Sequence, residues 1–279
     1  IKGRVISAEG KESLIDASHI VEGNDSGGAL ELNDAKQLKV VLPNAKLGSV
    51  VELEVIRDEG RPTVAGAGFS ASWRLWSTLP VRHLRFYVEA PADAPFHLEV
   101  VGVAKPKIEK SGGLQIVKLA LPEIKFNPRP LTIPEMLTKA PQFTWSTAPS
   151  WQFLSRQYAP LVDKALTDKA DFSALAPAMA QAKTVEEKAQ AVVRWLSDKT
   201  RYTAVHLGDG AIVPTQPSTV LSRGYGDCKD LSVLTVQALR AFGVPAYTAL
   251  VNGSGSAPFD AVPAMGAFDH MIVAIPQGK

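Results

Sequence analysis

The first half of the chain has the alternating apolar and polar positions of short β-strands. The runs are residues 38–42, 51–55, 84–89, 98–103 and 114–121. Turn segments rich in Gly, Asp and Pro separate them, at residues 24–28, 59–62 and 111–113. Many short strands broken by such turns predict an antiparallel β-sandwich over residues 1–130.

The second half changes to helical spacing after a proline-rich segment. Prolines recur between residues 122 and 149, and we assign residues 131–149 to a stiff, non-helical linker. Apolar positions from Trp151 onward predict a helix that Pro160 should kink or interrupt. A second helix should begin at Thr184, because Thr184 and Glu187 have the spacing of a capping box.

Length, charge and cysteine content narrow the possible functions. A chain of 279 residues predicts two domains. Its 30 basic and 28 acidic side chains leave a net charge of +2, which argues against a nucleic-acid partner, and no apolar stretch is long enough to span a membrane. The single cysteine excludes an intrachain disulfide and a multi-cysteine zinc site. Because the sequence begins inside a predicted strand, we expect a fragment of a longer protein.

Residues 222–230 carry the strongest chemical signal. Cys228 follows a glycine-bearing loop, and the apolar positions from Leu231 to Phe242 predict a helix that begins near Cys228. The first N–H groups of a helix are unpaired and the helix dipole is positive there, so this position favours a thiolate and can stabilise an oxyanion. Gly226 should allow a tight turn and leave room for a substrate. Cys228 is therefore the predicted nucleophile and the first oxyanion donor.

A histidine in a downstream strand is the predicted partner of Cys228. Residues 245–251 and 268–275 have the pattern of two strands joined by a loop rich in Gly, Ser and Pro. His270 lies in the second strand and can take the thiol proton and return it to a leaving amine. An inert buried cysteine and a core histidine remain the alternative on this pattern alone. The other histidines, His19, His83, His97 and His206, are expected to be ordinary surface, strand or loop residues.

Three segments together resemble the transglutaminase-like superfamily in its bacterial branch: residues 223–230, 242–246 and 268–273. The resemblance covers residues 150–279. Residues 1–130 resemble the β-sandwich domain that often precedes it in bacterial envelope proteins, mainly through residues 34–55. The implied fold class is α+β, an antiparallel sandwich followed by a papain-type domain that is truncated at its C-terminus.

The resemblance implies a Cys–His–Asp triad. Cys228 matches its nucleophile and His270 its base, whereas the aspartate belongs to a strand that we expect beyond the end of this sequence. Asp269 is no substitute, because adjacent strand residues face opposite ways. Asp227 and Asp230 are expected to stabilise the start of the helix by their charge.

The family also draws a second oxyanion donor from a side chain upstream of the cysteine. Tyr202 and Gln216 are the candidates, because both carry a suitable donor. Tyr225 and Gly226 are expected to line the cleft. No metal and no organic cofactor is required.

The sequence thus predicts cysteine-dependent amide or acyl chemistry through a thioester at Cys228. The expected substrate is a peptide or protein amide, and the enzyme would be a protease, an amidase or a transglutaminase. One alternative is a non-catalytic binding or scaffold module of the cell envelope, and another is an acyltransferase of the arylamine acetyltransferase kind. The resemblance implies a periplasmic or envelope location, and the sequence gives no oligomeric state.

Overall fold

The computed structural model of the protein describes residues 1–24, 31–75, 79–124, 141–253 and 260–276. Antiparallel strands dominate the N-terminal part, and helices and strands alternate in the C-terminal part. The α+β fold class predicted from the sequence is confirmed. Among the described residues, no helix has both the length and the hydrophobicity needed to cross a bilayer.

The N-terminal part consists of short strands, as the alternating pattern predicts. They are β1 (Lys2–Ile6), β2 (Glu12–Ile15), β3 (Ile20–Asn24), β4 (Glu31–Asn33), β5 (Lys36–Val40), β6 (Val50–Glu54), β7 (Ser70–Arg74), β8 (Leu84–Pro91), β9 (His97–Val101), β10 (Ile108–Ser111), β11 (Leu114–Leu121) and β12 (Gln142–Ser146). The described sheets among them have the orders β2-β1-β6, β3-β5, β10-β11-β8 and β7-β12-β9, with every pair antiparallel.

Two of these sheets share one hydrophobic core. Val88 of β8 and Val117 of β11 pack in the same buried cluster as Leu98 of β9 and Phe143 of β12. Phe86 stacks on Phe143 with the ring centroids 4.9 Å apart. The β10-β11-β8 and β7-β12-β9 sheets therefore pack face to face.

Strand β12 lies inside the range that the sequence suggested as linker. It is the central strand of its sheet, because it pairs with β7 on one side and β9 on the other. Phe143 in this strand is fully buried. Part of residues 131–149 therefore belongs to a sheet. The sequence did not predict this strand, because the prolines around it are typical of a linker. Residues 125–140 lie outside the described residues.

The C-terminal part surrounds one central helix. Its helices are α1 (Trp151–Leu166), α2 (Ala176–Gln181), α3 (Val185–Lys199), α4 (Pro217–Arg223) and α5 (Cys228–Ala241), and its strands are β13 (Arg201–Tyr202), β14 (Ala204–His206), β15 (Tyr225–Gly226), β16 (Tyr247–Val251) and β17 (His270–Ala274). Helix α5 contacts α1, α3, α4, β16 and β17. Its apolar residues Leu234, Val236 and Leu239 are almost completely buried.

The helix signals in the sequence are confirmed with one exception. The side chain of Thr184 accepts from Glu187 N at 3.1 Å and Glu187 accepts from Thr184 N at 3.2 Å, so the capping box is complete. Helix α1, however, continues through Pro160 without interruption. Pro160 removes the donor for the carbonyl of Arg156, but both residues are exposed, so water can replace that hydrogen bond.

The two parts of the chain are joined by a parallel strand pair. Strand β14 pairs with β4 over three residues, and His206 Nδ1 lies 3.0 Å from Glu31 Oε1. The N–H of Gly208 donates to Asp34 Oδ2 at 2.9 Å. His206, expected to be an ordinary loop residue, therefore lies at the end of a strand and contacts the N-terminal part.

Candidate active site

Helix α5 begins at Cys228, as the sequence predicts, and Asp227 is its N-cap. The Asp227 carboxylate accepts from the N–H groups of Lys229 at 3.1 Å and Asp230 at 3.3 Å, and the Asp227 carbonyl accepts from Leu231 N at 2.9 Å. These bonds account for the N–H groups that follow Cys228. Cys228 is half-buried and lines a cavity.

Two buried ion pairs hold the backbone on both sides of Cys228. Lys229 pairs with Asp227, and both side chains are buried. Asp230 has 0% of its surface exposed. Its carboxylate accepts hydrogen bonds from Arg223 Nη2 at 2.7 Å and from Thr215 N at 2.8 Å. The aspartates therefore do stabilise the helix start, through paired charges and specific hydrogen bonds.

A cavity of about 170 Å³ lies at the start of α5. Cys228 and His270 both line it. Its other walls come from Thr63, Tyr158, Ala211, Ile212, Lys229, Leu250, Met265, Gly266, Phe268, Asp269 and Met271. The nucleophile and base predicted from the sequence thus face the same space. Asp269, expected to face away from His270, lines it as well, because the strand begins only at His270, and its Oδ1 accepts from Gly253 N.

Strand β17 positions His270 against the helix. Met271, the next residue, is buried and packs in one cluster with Val233 of α5. The Ser232 hydroxyl donates to Met271 O at 3.1 Å. His270 itself is exposed at the cavity, and within the described residues no hydrogen bond joins its ring to Cys228 or to a carboxylate.

Tyr202, one of the two oxyanion candidates, lies opposite a residue close to Cys228 in the chain. Strand β13 pairs in parallel with β15 and places Tyr202 opposite Gly226. Burial raises the pKa of the Tyr202 hydroxyl, and the negative charges of the Cys228 thiolate and Asp227 raise it further. Hydrogen bonding from the Cys228 N–H acts in the opposite direction and lowers that pKa. These influences on its pKa indicate that the Tyr202 hydroxyl lies in the neighbourhood of Cys228.

The other residues singled out in the sequence lie elsewhere. Gln216 is exposed and caps the start of α4 without a side-chain hydrogen bond. Neither Gln216 nor Tyr202 is among the cavity-lining residues, and the position of Tyr202 opposite Gly226 distinguishes the two. Tyr225 lies under the Arg223 guanidinium at 4.5 Å and lines a separate depression. Gly226 is buried, and a Cβ there would meet Asp230 Cβ at 2.8 Å. Packing against Asp230, and not space for a substrate, thus requires glycine at this position.

Two residues of the cavity wall carry no signal in the sequence. Tyr158 of α1 is buried, donates to Ile212 O at 3.0 Å, and has its hydroxyl pKa raised by burial and by the nearby negative charges. Thr63 comes from the N-terminal part, far away in the sequence. Only the packing of the folded chain brings them to Cys228.

Comparison with known proteins assigns both parts of the chain. Residues 173–273 match the model of the transglutaminase-like superfamily, and residues 1–125 match that of a domain of unknown function with solved structure, DUF3857. The chain carries a transglutaminase-like domain preceded by a DUF3857 domain. No curated protein matches the chain.

A solved structure has a fold similar to that of nearly the whole chain. A crystal structure of a proposed protease from Parabacteroides distasonis is 18% identical, with a TM-score of 0.69, over 98% of this chain and 54% of that chain. This chain thus spans about half the length of that protein. A proposed cysteine protease from Cytophaga hutchinsonii is 13% identical, with a TM-score of 0.29, over 74% of this chain and 70% of that one.

Removing one partner of the Arg223–Asp230 pair should destabilise the domain strongly. In Asp230→Ala the Arg223 guanidinium stays largely buried without its carboxylate, at a cost of about 3–5 kcal/mol in the free energy of unfolding. Urea denaturation measures this loss. The matched control Asp163→Ala removes an exposed carboxylate of α1 and should change the free energy by less than about 0.5 kcal/mol. Equal stability of the two variants would show that the pair does not hold the helix start.

Proposed function

We propose that the transglutaminase-like domain carries out acyl transfer through a thioester at Cys228. The sulfur attacks an amide carbonyl, His270 takes the thiol proton, and the same proton leaves with the amine. Water or a second amine then takes the acyl group. The observation that carries the proposal is that Cys228 and His270 line the same cavity at the start of α5.

The substrate class follows from this chemistry and from the family match. A cysteine-protease-like function agrees with the transglutaminase-like domain. We propose a peptide or protein amide as substrate and hydrolysis as the main outcome, because water is always present as an acceptor. A protease or amidase is then favoured over a transglutaminase. The proposed location is the periplasm or envelope of a bacterium.

Two donors at Cys228 can stabilise the oxyanion of the tetrahedral intermediate. The first is the Cys228 N–H at the positive end of α5. The second is the Tyr202 hydroxyl, because β13 pairs with β15 and brings Tyr202 opposite Gly226, two residues before Cys228. We therefore propose Tyr202, and not Gln216, as the side-chain donor.

A non-catalytic envelope scaffold is the competing function. Its support is the exposure of His270 and the lack, within the described residues, of a carboxylate that would orient its ring. An unoriented imidazole is a weak base for the thiol. The reactivity of Cys228 distinguishes the two functions.

An activated Cys228 should react with iodoacetamide at pH 6 about ten times faster than free cysteine, because only the thiolate attacks. His270→Ala should remove most of this enhancement. The matched control His83→Ala removes an exposed histidine of the N-terminal part and should keep it. Alkylation followed by mass spectrometry gives the rates. An ordinary thiol rate in the wild type and in His270→Ala would favour the scaffold.

Tyr202→Phe separates oxyanion stabilisation from thiol reactivity. Acylation of Cys228 by 4-nitrophenyl acetate passes through an oxyanion, so its rate should fall about 100-fold in this variant. Alkylation by iodoacetamide forms no oxyanion and should slow far less. Release of 4-nitrophenolate measures the first rate, and Tyr225→Phe is the control. Equal losses in both reactions would mean that Tyr202 only supports the local structure.

A further inference from the structure

A second, larger groove opens beside the cavity of Cys228. It has a volume of about 580 Å³ and lies between helix α1 and strand β16. Tyr158, Leu250, Met265 and Phe268 line both the groove and the Cys228 cavity. The two spaces are therefore adjacent, with these four residues in common.

We propose that this groove binds a bulky apolar side chain, preferably an aromatic one, of the peptide that Cys228 attacks. The proposal rests on the proposed acyl transfer and names its substrate class. The wall includes Trp151, Leu154, Val162, Leu166 and Phe268, which are apolar or aromatic. Its volume is in the range of ligand pockets that bury most of a small molecule.

The aromatic wall is already fixed in place. Trp151 Nε1 donates to Asp260 O at 2.8 Å, and its ring meets the Phe268 ring edge-on at 5.6 Å. The Tyr158 hydroxyl donates to Ile212 O at 3.0 Å. Because these polar atoms are satisfied within the protein, the ring surfaces remain for apolar contact, and binding loses little rotamer freedom.

The charges in the groove do not favour a charged side chain. Asp163 and Arg240 are the acidic and basic residues of the lining, so their charges offset each other. Arg240 is also engaged, since its Nε donates to Ala246 O at 2.8 Å and its guanidinium lies 5.3 Å from the Tyr247 ring centroid. An uncharged apolar side chain fits this lining best.

Two alkylating reagents of different size test the groove. The chloromethyl ketones of N-acetyl-phenylalanine and N-acetyl-glycine both form a thioether at Cys228 and release chloride. The phenylalanyl reagent should react at least about tenfold faster, as expected for an apolar side chain in a fitting pocket. Ala159→Trp, at an exposed groove position, should bring the ratio of the two rates towards one. The control Ala178→Trp, an exposed alanine of α2, should leave the wild-type ratio.

The rate ratio tests the groove proposal independently of the proposed acyl transfer. A ratio near one in the wild type, or an unchanged ratio in Ala159→Trp, would overturn the groove proposal. An iodoacetamide rate equal to that of free cysteine would contradict acyl transfer instead. Since any accessible thiol reacts with chloromethyl ketones, the ratio tests the groove in either case.

A separate observation assigns a role to the DUF3857 domain. We infer that Thr63 of this domain contacts the substrate, because it is exposed and lines the cavity of Cys228. Val64 and Ala67, each 3% exposed, are buried in a cluster that includes Tyr158 and Met271 of the same cavity. These two anchors hold Thr63 at the cleft.

The backbone of this segment is also fitted to helix α1. Gly66 has a φ of +75°, and a Cβ there would lie 3.0 Å from Gln157 Oε1. A left-handed backbone with so close a neighbour favours glycine. The DUF3857 domain therefore forms part of the substrate cleft.

Thr63→Trp should narrow the cleft without unfolding it. We expect the phenylalanyl chloromethyl ketone to slow by about tenfold or more, and iodoacetamide, which is smaller, to slow much less. Ala65→Trp, an exposed position two residues away that does not line the cavity, is the control and should keep the wild-type rates. Equal rates in wild type and Thr63→Trp would overturn the role of Thr63. An equal loss with both reagents, together with a lower unfolding midpoint, would also overturn it and indicate a structural role.

Discussion

The start of helix α5 depends on charges that are buried beside the thiol. Asp230 has no exposed surface, and Arg223 Nη2 and the Thr215 N–H both donate to its carboxyl group. Asp227 caps the helix and pairs with buried Lys229. Each charge needs its partner, because an isolated buried charge is costly. These bonds therefore fix the position of Cys228 at the first residue of α5.

The cleft is built from distant parts of the chain that meet around this position. Helix α5 supplies the thiol, and strand β17, fixed to the helix through Met271, supplies His270. Helix α1 supplies Tyr158, and the DUF3857 domain supplies Thr63. The groove towards β16 continues the same surface. The N-terminal domain therefore contributes a residue to the wall of the same cavity as Cys228.

The sequence predicted what depends on local pattern and missed what depends on tertiary contact. Alternation predicted β5, β6, β8, β9 and β11 but not the other N-terminal strands. The capping box predicted the start of α3, and the apolar positions after Cys228 predicted α5. The sequence did not predict strand β12 because its five residues lie among prolines. In the fold, pairing with a strand on each edge stabilises it. Tyr225 and Gly226 were predicted to line the cleft because they lie close to Cys228 in the sequence. In the fold, Tyr225 makes a cation–π contact with Arg223, and Gly226 packs tightly against Asp230. Thr63 could not be found, since nothing near it in the sequence indicates its neighbours.

The parallel pair of β14 with β4 has a consequence for dissecting the protein. Its backbone hydrogen bonds join Ala204–His206 of one domain to Glu31–Asn33 of the other. A C-terminal piece produced alone would present β14 with an open edge, and would also uncover the apolar surface that Val64 and Ala67 occupy. Exposed strand edges and apolar patches promote self-association. Aggregation of such a piece would therefore reflect the cut between the domains and say nothing about the folding of the intact chain.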